Sequence, residues 1–98
     1  LLFKNRLGYA GVIIDRDTGN TVGHKNRDEV LNAVNFPQIA AEDESLGDFN
    51  VLMQDLMAGN TGGGNYIYEG TKKYISYIPI EDTKLTIFVD KNIRFVFK

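Results

Sequence analysis

Between Gly59 and Ile80 the sequence reads GNTGGGNYIYEGTKKYISYIPI, and this stretch limits the choice of fold more than any other. Glycine at 59, 62, 63 and 64 predicts a flexible link. Asn65 to Tyr68 then predicts a short strand, Glu69-Gly70-Thr71-Lys72 a tight turn, and Lys73 to Ile80 a returning strand. β-Branched and aromatic residues bounded by glycine turns are the mark of a β-hairpin. Side chains alternate along a strand, so Tyr66 and Tyr68 share one face. In the second strand Tyr74, Ser76, Ile78 and Ile80 share a face, and Lys73, Ile75 and Tyr77 share the other. The clustered tyrosines offer rings that pack and hydroxyls that need partners.

The rest of the chain supplies the elements this hairpin needs. Gly8 to Ile14 (GYAGVII) reads as a central strand, apolar and closed by a turn signal. Asp15 to Asn20 is that turn, rich in Asx and glycine. A calcium loop starting at Asp15 is excluded, because its fifth position is Gly19 and its twelfth Asn26 where a bidentate Glu is required. Thr21 to His24 predicts the partner strand. Asn26 and Glu29 form a capping box ahead of a short helix over Val30, Leu31 and Val34, which Asn35-Phe36-Pro37 ends. Glu42, Asp43 and Glu44 read as a solvated acidic run. Leu46, Phe49, Leu52, Met53, Leu56 and Met57 recur at helical spacing and predict a helix over 46–58, with Gly59 at its C′ position and Leu52 and Leu56 buried on the sheet. Leu85 to Val89 predicts the last strand. Ile93 to Lys98 has strand character. The expected architecture is α+β: one antiparallel five-stranded sheet, from 8–24 and 65–89, with helices packed on one face.

Composition excludes several function classes. A chain of 98 residues forms one domain. With a net charge of −2 and scattered basic residues, it has no nucleic-acid footprint. Without cysteine there is no disulfide scaffold, thiolate metal site or cysteine nucleophile. The single histidine, His24, makes neither a dyad nor a metal cluster by itself, and packing at a strand end or a ligand contact both remain open for it. Ser45 and Ser76 lack a nucleophile-elbow context. Gly59 to Asn65 lacks the GK[ST] ending of a phosphate loop. No metal, cofactor or bond-making chemistry is expected. No apolar run is long enough for a membrane span, and no signal peptide is visible. The abrupt start at Leu1 reads as an excised piece of something longer.

GYAGVIIDRDTGNTVGHKN (8–26) and LMQDLMAGNTGGGNYIYEGTKKYISYIPIEDT (52–83) together resemble the Cache domain, the extracytoplasmic PAS-like sensor of bacterial receptors. The resemblance covers residues 8 to 89 and rests most on Tyr66, Tyr68, Gly70, Tyr74, Tyr77 and Pro79. It departs from the family in lacking the long helix ahead of the first strand and the tryptophan of the last one. It implies a PAS-like fold and an extracytoplasmic ligand-sensing domain in a membrane-spanning, homodimeric receptor. The receptor implied first is a methyl-accepting chemotaxis protein; histidine kinases and diguanylate cyclases carry the same kind of sensor. The ligand site of such a fold lies between sheet and helices. Tyr66 and Tyr68 are the candidates there, with Tyr74 and Ser76 beside them if register permits and Tyr9 closing the far side. The implied ligand is a small organic molecule such as an amino acid or carboxylate. The competing readings are a ligand-free PAS-like interaction module, whose tyrosines only cover the sheet, and, ranked last, a small enzyme.

Overall fold

The structure is a computed structural model and describes residues 10–24 and 34–92. Gly8 and Tyr9, the expected helix from Asn26 as far as residue 33, and the segment 93–98 lie outside the described residues.

The strands are β1 (Ala10–Asp15), β2 (Thr21–His24), β3 (Gly62–Tyr68), β4 (Thr71–Pro79) and β5 (Leu85–Asn92). They form one five-stranded antiparallel sheet in the order β2-β1-β5-β4-β3. Val12, Ile13 and Ile14 give β1 the β-branched character that suits a central strand. Its pairing with β5 sets Val12 opposite Phe88 and Ile14 opposite Thr86, and so joins the two hairpins into one sheet. The β1–β2 register shifts between Ile13 and Ile14, a bulge that leaves Thr21 opposite Ile14. Thr21 is buried, and its backbone N–H and hydroxyl both donate to the Val34 carbonyl. Val34 thus lies outside any helix, contrary to its place in the expected apolar stripe.

Asn35-Phe36-Pro37 starts a helix where the sequence suggested an ending. The helix α1 (Phe36–Glu42) is capped by the Asn35 side chain, which accepts from the Gln38 N–H at 2.9 Å. Pro37 sits in the first turn, where its missing N–H would have had no intrahelical partner. A 3-10 turn over Glu44–Leu46 follows, capped by Asp43. It leads into α2 (Gly47–Met57). Gly59, at φ 84°, ends α2 in the left-handed region as expected of a C′ glycine.

Both helices cover the same side of the sheet. Phe49, Met53 and Leu56 of α2 pack on Val12, Ile14, Ile75, Tyr77 and Phe88, together with Ala40 of α1. Leu56 is fully buried as expected, whereas Leu52 is half-buried at the flank of the helix. Each such fully buried apolar side chain contributes about 1.5–3 kcal/mol.

The glycine run is not a link. Gly62, Gly63 and Gly64 are the first half of β3. A Cβ at Gly64 would lie 3.1 Å from Leu52 Cδ2, and one at Gly62 3.0 Å from Asp55 Oδ2. The missing side chains are what let α2 lie low over this strand. The turn is also tighter than expected. Only Glu69 (φ 51°) and Gly70 (φ 78°) lie between the strands, and two positive φ values define the type I′ turn that matches strand twist.

Candidate functional site

The two-residue turn fixes which side chains meet. Tyr68 pairs with Thr71, Tyr66 with Lys73 and Asn65 with Tyr74. Residues directly opposite share a face, so Lys73, Ile75 and Tyr77 join Tyr66 and Tyr68 on the helix-covered side. Tyr74 and Ser76 lie on the other face and are exposed. The register therefore does not bring these two beside Tyr66 and Tyr68. Tyr9 lies outside the described residues.

Tyr66 is buried, with its ring stacked on Phe49 at 4.6 Å between centroids and 23° between planes. Its hydroxyl donates to Asp90 Oδ2 at 3.0 Å. Burial, reinforced by the Asp90 charge, pushes the Tyr66 phenol well above the ordinary tyrosine range. This tyrosine serves the core with its ring and orients Asp90 with its hydroxyl. Tyr68 is half-buried and meets Phe49 edge-on at 5.9 Å.

Lys73 and Asp90 complete the cluster. The Lys73 ammonium lies 3.6 Å from Asp90 Oδ2 and 5.5 Å from the centroid of the Tyr68 ring. The two charged side chains are 25% and 30% exposed, enough for a solute to reach both. The result is a small amphipathic surface at the β3 side of the sheet: the half-buried Tyr68 ring, backed by the buried Phe49, with one cation and one carboxylate. Such a surface suits a small molecule that presents an apolar stem and a charged group. An ammonium supplies three donors and a carboxylate about four acceptor positions, so the pair has capacity beyond its mutual contact.

Sequence reasoning missed Lys73 and Asp90 as site residues. Counting back from a two-residue Glu69-Gly70 turn would have placed Lys73 opposite Tyr66. Asp90 escapes notice because the apolar pattern of the last strand stops at Val89, whereas β5 runs to Asn92.

A second tyrosine contact closes the other end of α2. The buried Tyr77 donates from its hydroxyl to Asp55 Oδ2 at 2.5 Å, and Asn60 Nδ2 donates to Asp55 Oδ1 at 2.7 Å. Burial, followed by the bond and charge of Asp55, pushes the Tyr77 phenol up to about 12. The Tyr77 hydroxyl and then Asn60 hold the Asp55 carboxyl below its ordinary value. Both shifts have a structural cause, a pin between helix and sheet.

Among the described residues no group of three His, Cys, Asp or Glu side chains is arranged to hold a metal ion. Ser45 Oγ donates to Asp43 Oδ1 at 2.6 Å, but the pair is exposed and caps the 3-10 turn. Among the described residues no helix is long and apolar enough to cross a membrane. Comparison with protein-family models, with curated proteins and with solved structures returns no match.

Proposed function

We propose that this chain is a Cache-like ligand-sensing module of a bacterial transmembrane receptor, first of all a methyl-accepting chemotaxis protein. In this reading it works outside the cytoplasm and performs no bond-making chemistry. Its ligand is a small polar organic molecule, an amino acid or short carboxylate, docked on Tyr68, Lys73 and Asp90. The observation that carries the reading is the Lys73–Asp90 pair, held 3.6 Å apart, partly exposed to solvent and flanked by the Tyr68 ring on the helix-covered side. The α+β architecture, one antiparallel sheet with both helices on one face, supports it at the level of fold alone. A histidine kinase or diguanylate cyclase would use the same sensor, and the output is decided elsewhere in the parent chain.

A specific observation favours a second reading, a module without ligand. The hydroxyls of Tyr66 and Tyr77 are already engaged by Asp90 and Asp55. On that reading the tyrosine face closes the core and nothing more. A thermal-shift screen with amino acids and short carboxylates separates the two. A compound at one hundred times its Kd stabilises by about 2.7 kcal/mol. On the sensing reading Lys73→Met keeps the fold and abolishes the shift. A screen in which no compound moves the melting temperature, or a shift untouched by Lys73→Met and Asp90→Asn, removes this site from consideration.

A further inference from the structure

β3 is an edge strand of the sheet. Its seven residues, GGGNYIY, contain no charged residue and no proline, and its pairing with β4 has no bulge. Natural edge strands are normally guarded by one of those devices. Because Tyr68 and Thr71 close a two-residue hairpin, Tyr68, Tyr66, Gly64 and Gly62 turn their backbone groups toward β4. Gly63, Asn65 and Ile67 then turn theirs to the open side, and no backbone bond to another described residue takes them up.

We propose that this edge pairs with the same edge of a second copy, antiparallel, about a two-fold axis at Asn65. The strand is complementary to itself in that register. Gly62 comes opposite Tyr68, Gly63 opposite Ile67 and Gly64 opposite Tyr66, so each large side chain faces a glycine across the junction. The hydrogen-bonding parity also agrees. Gly63, Asn65 and Ile67 are the residues with outward backbone groups, and the register sets Asn65 against Asn65 and Gly63 against Ile67. The exposed Asn65 side chains meet at the axis, where each amide both donates and accepts. No like charges oppose one another along the strand. On the outer face Ile67, 56% exposed, gains cover where it now faces water. A contact of this kind is isologous and closes as a dimer. The axis runs perpendicular to the sheet, so both α2 helices lie on the same face of the joined sheet, one on each side of the axis.

The protein has no cysteine, which makes a single introduced thiol a clean reporter. Asn65→Cys places the thiol opposite itself, at a spacing compatible with a disulfide. Mild oxidation of Asn65→Cys is expected to give mainly cross-linked dimer. Ser76→Cys, exposed on β4, is expected to give little, and Ile67→Cys little also, because residue 67 faces residue 63. The unmodified chain is expected to double its mass with concentration in analytical ultracentrifugation, and Ile67→Lys to abolish that doubling. Equal cross-linking at positions 65, 67 and 76, or a monomer at every concentration, would overturn the proposal.

Discussion

Tyr77 and Asp55 show how one short bond ties a helix to a strand. In the folded chain the Tyr77 proton is held up to about 12, against an ordinary value of 10.0. Between those values the unfolded chain loses the proton while the folded chain keeps it. The contribution is therefore fully present below pH 10 and lost as pH rises toward 12. Asp55 works in the opposite direction. Its carboxyl is held below 3.8, so its contribution is present above that value and lost as pH falls through the folded one. Urea unfolding across pH 10 to 12 should show a steeper loss of stability in the parent protein than in Tyr77→Phe. Parallel curves would mean that the Tyr77 hydroxyl is not held buried against Asp55 in solution. At this scale the sequence was informative about alternation and silent about partners. Tyr66 and Tyr68 were placed on one face correctly. That Tyr66 meets Asp90 depends on a strand that enters the sheet from 24 positions away in the chain, and no local pattern carries it.

The hairpin of β3 and β4 is where sequence pattern and tertiary structure disagreed most. Three consecutive glycines have poor strand propensity and read as a link. The helix above them reverses that assignment, because a strand that α2 approaches closely needs small residues. The three positions are nevertheless unequal. A Cβ at Gly63 would lie 2.5 Å from the Ile75 carbonyl oxygen, which is backbone and held in the β3–β4 ladder. A Cβ at Gly64 would lie 3.1 Å from Leu52 Cδ2, the end of a half-buried side chain that has room to turn. Gly63→Ala should therefore cost about 1–3 kcal/mol, in the range of overpacking, and Gly64→Ala distinctly less. Chemical denaturation of the two variants decides, and the reverse ranking would show that Leu52 cannot turn aside over Gly64 while the β4 backbone yields at Gly63. The long helix, by contrast, was legible from its stripe alone. Its sheet-facing residues are Phe49, Met53 and Leu56. Leu52 lies about a fifth of a turn round from their centre, which is why it is half-buried while Leu56 has no exposed surface.

On the scale of the whole molecule, the decisive contact is between β1 and β5, because it makes one sheet from two hairpins at opposite ends of the chain. The fold class was legible because both hairpins carried their own turn signals. The joining of β1 to β5, and hence the order of the strands, was not, since pairing over such a separation is selected by burial and by loop closure and not by local preference. Arg16 stands at this junction. Its guanidinium donates to the Leu85 carbonyl at 2.7 Å, to Thr86 Oγ1 at 2.8 Å and to the Thr83 carbonyl at 2.7 Å. Its backbone N–H donates to the Lys84 carbonyl at 2.8 Å. The side chain thus clamps the turn ahead of β5 to the end of β1. Only part of the group is buried, so solvent competes with these bonds. Arg16→Met keeps much of the stem and removes all three side-chain hydrogen bonds, and it should cost about 1–3 kcal/mol. The same variant tests whether the sheet behaves as one cooperative unit. If it does, amide exchange at Val12 and Ile14 in β1 and at Phe88 in β5 accelerates by the same factor in Arg16→Met, because all three amides open through global unfolding. Faster exchange confined to β1 and β2, with β3 to β5 still protected, would show that the N-terminal hairpin docks on a three-stranded unit able to stand without it.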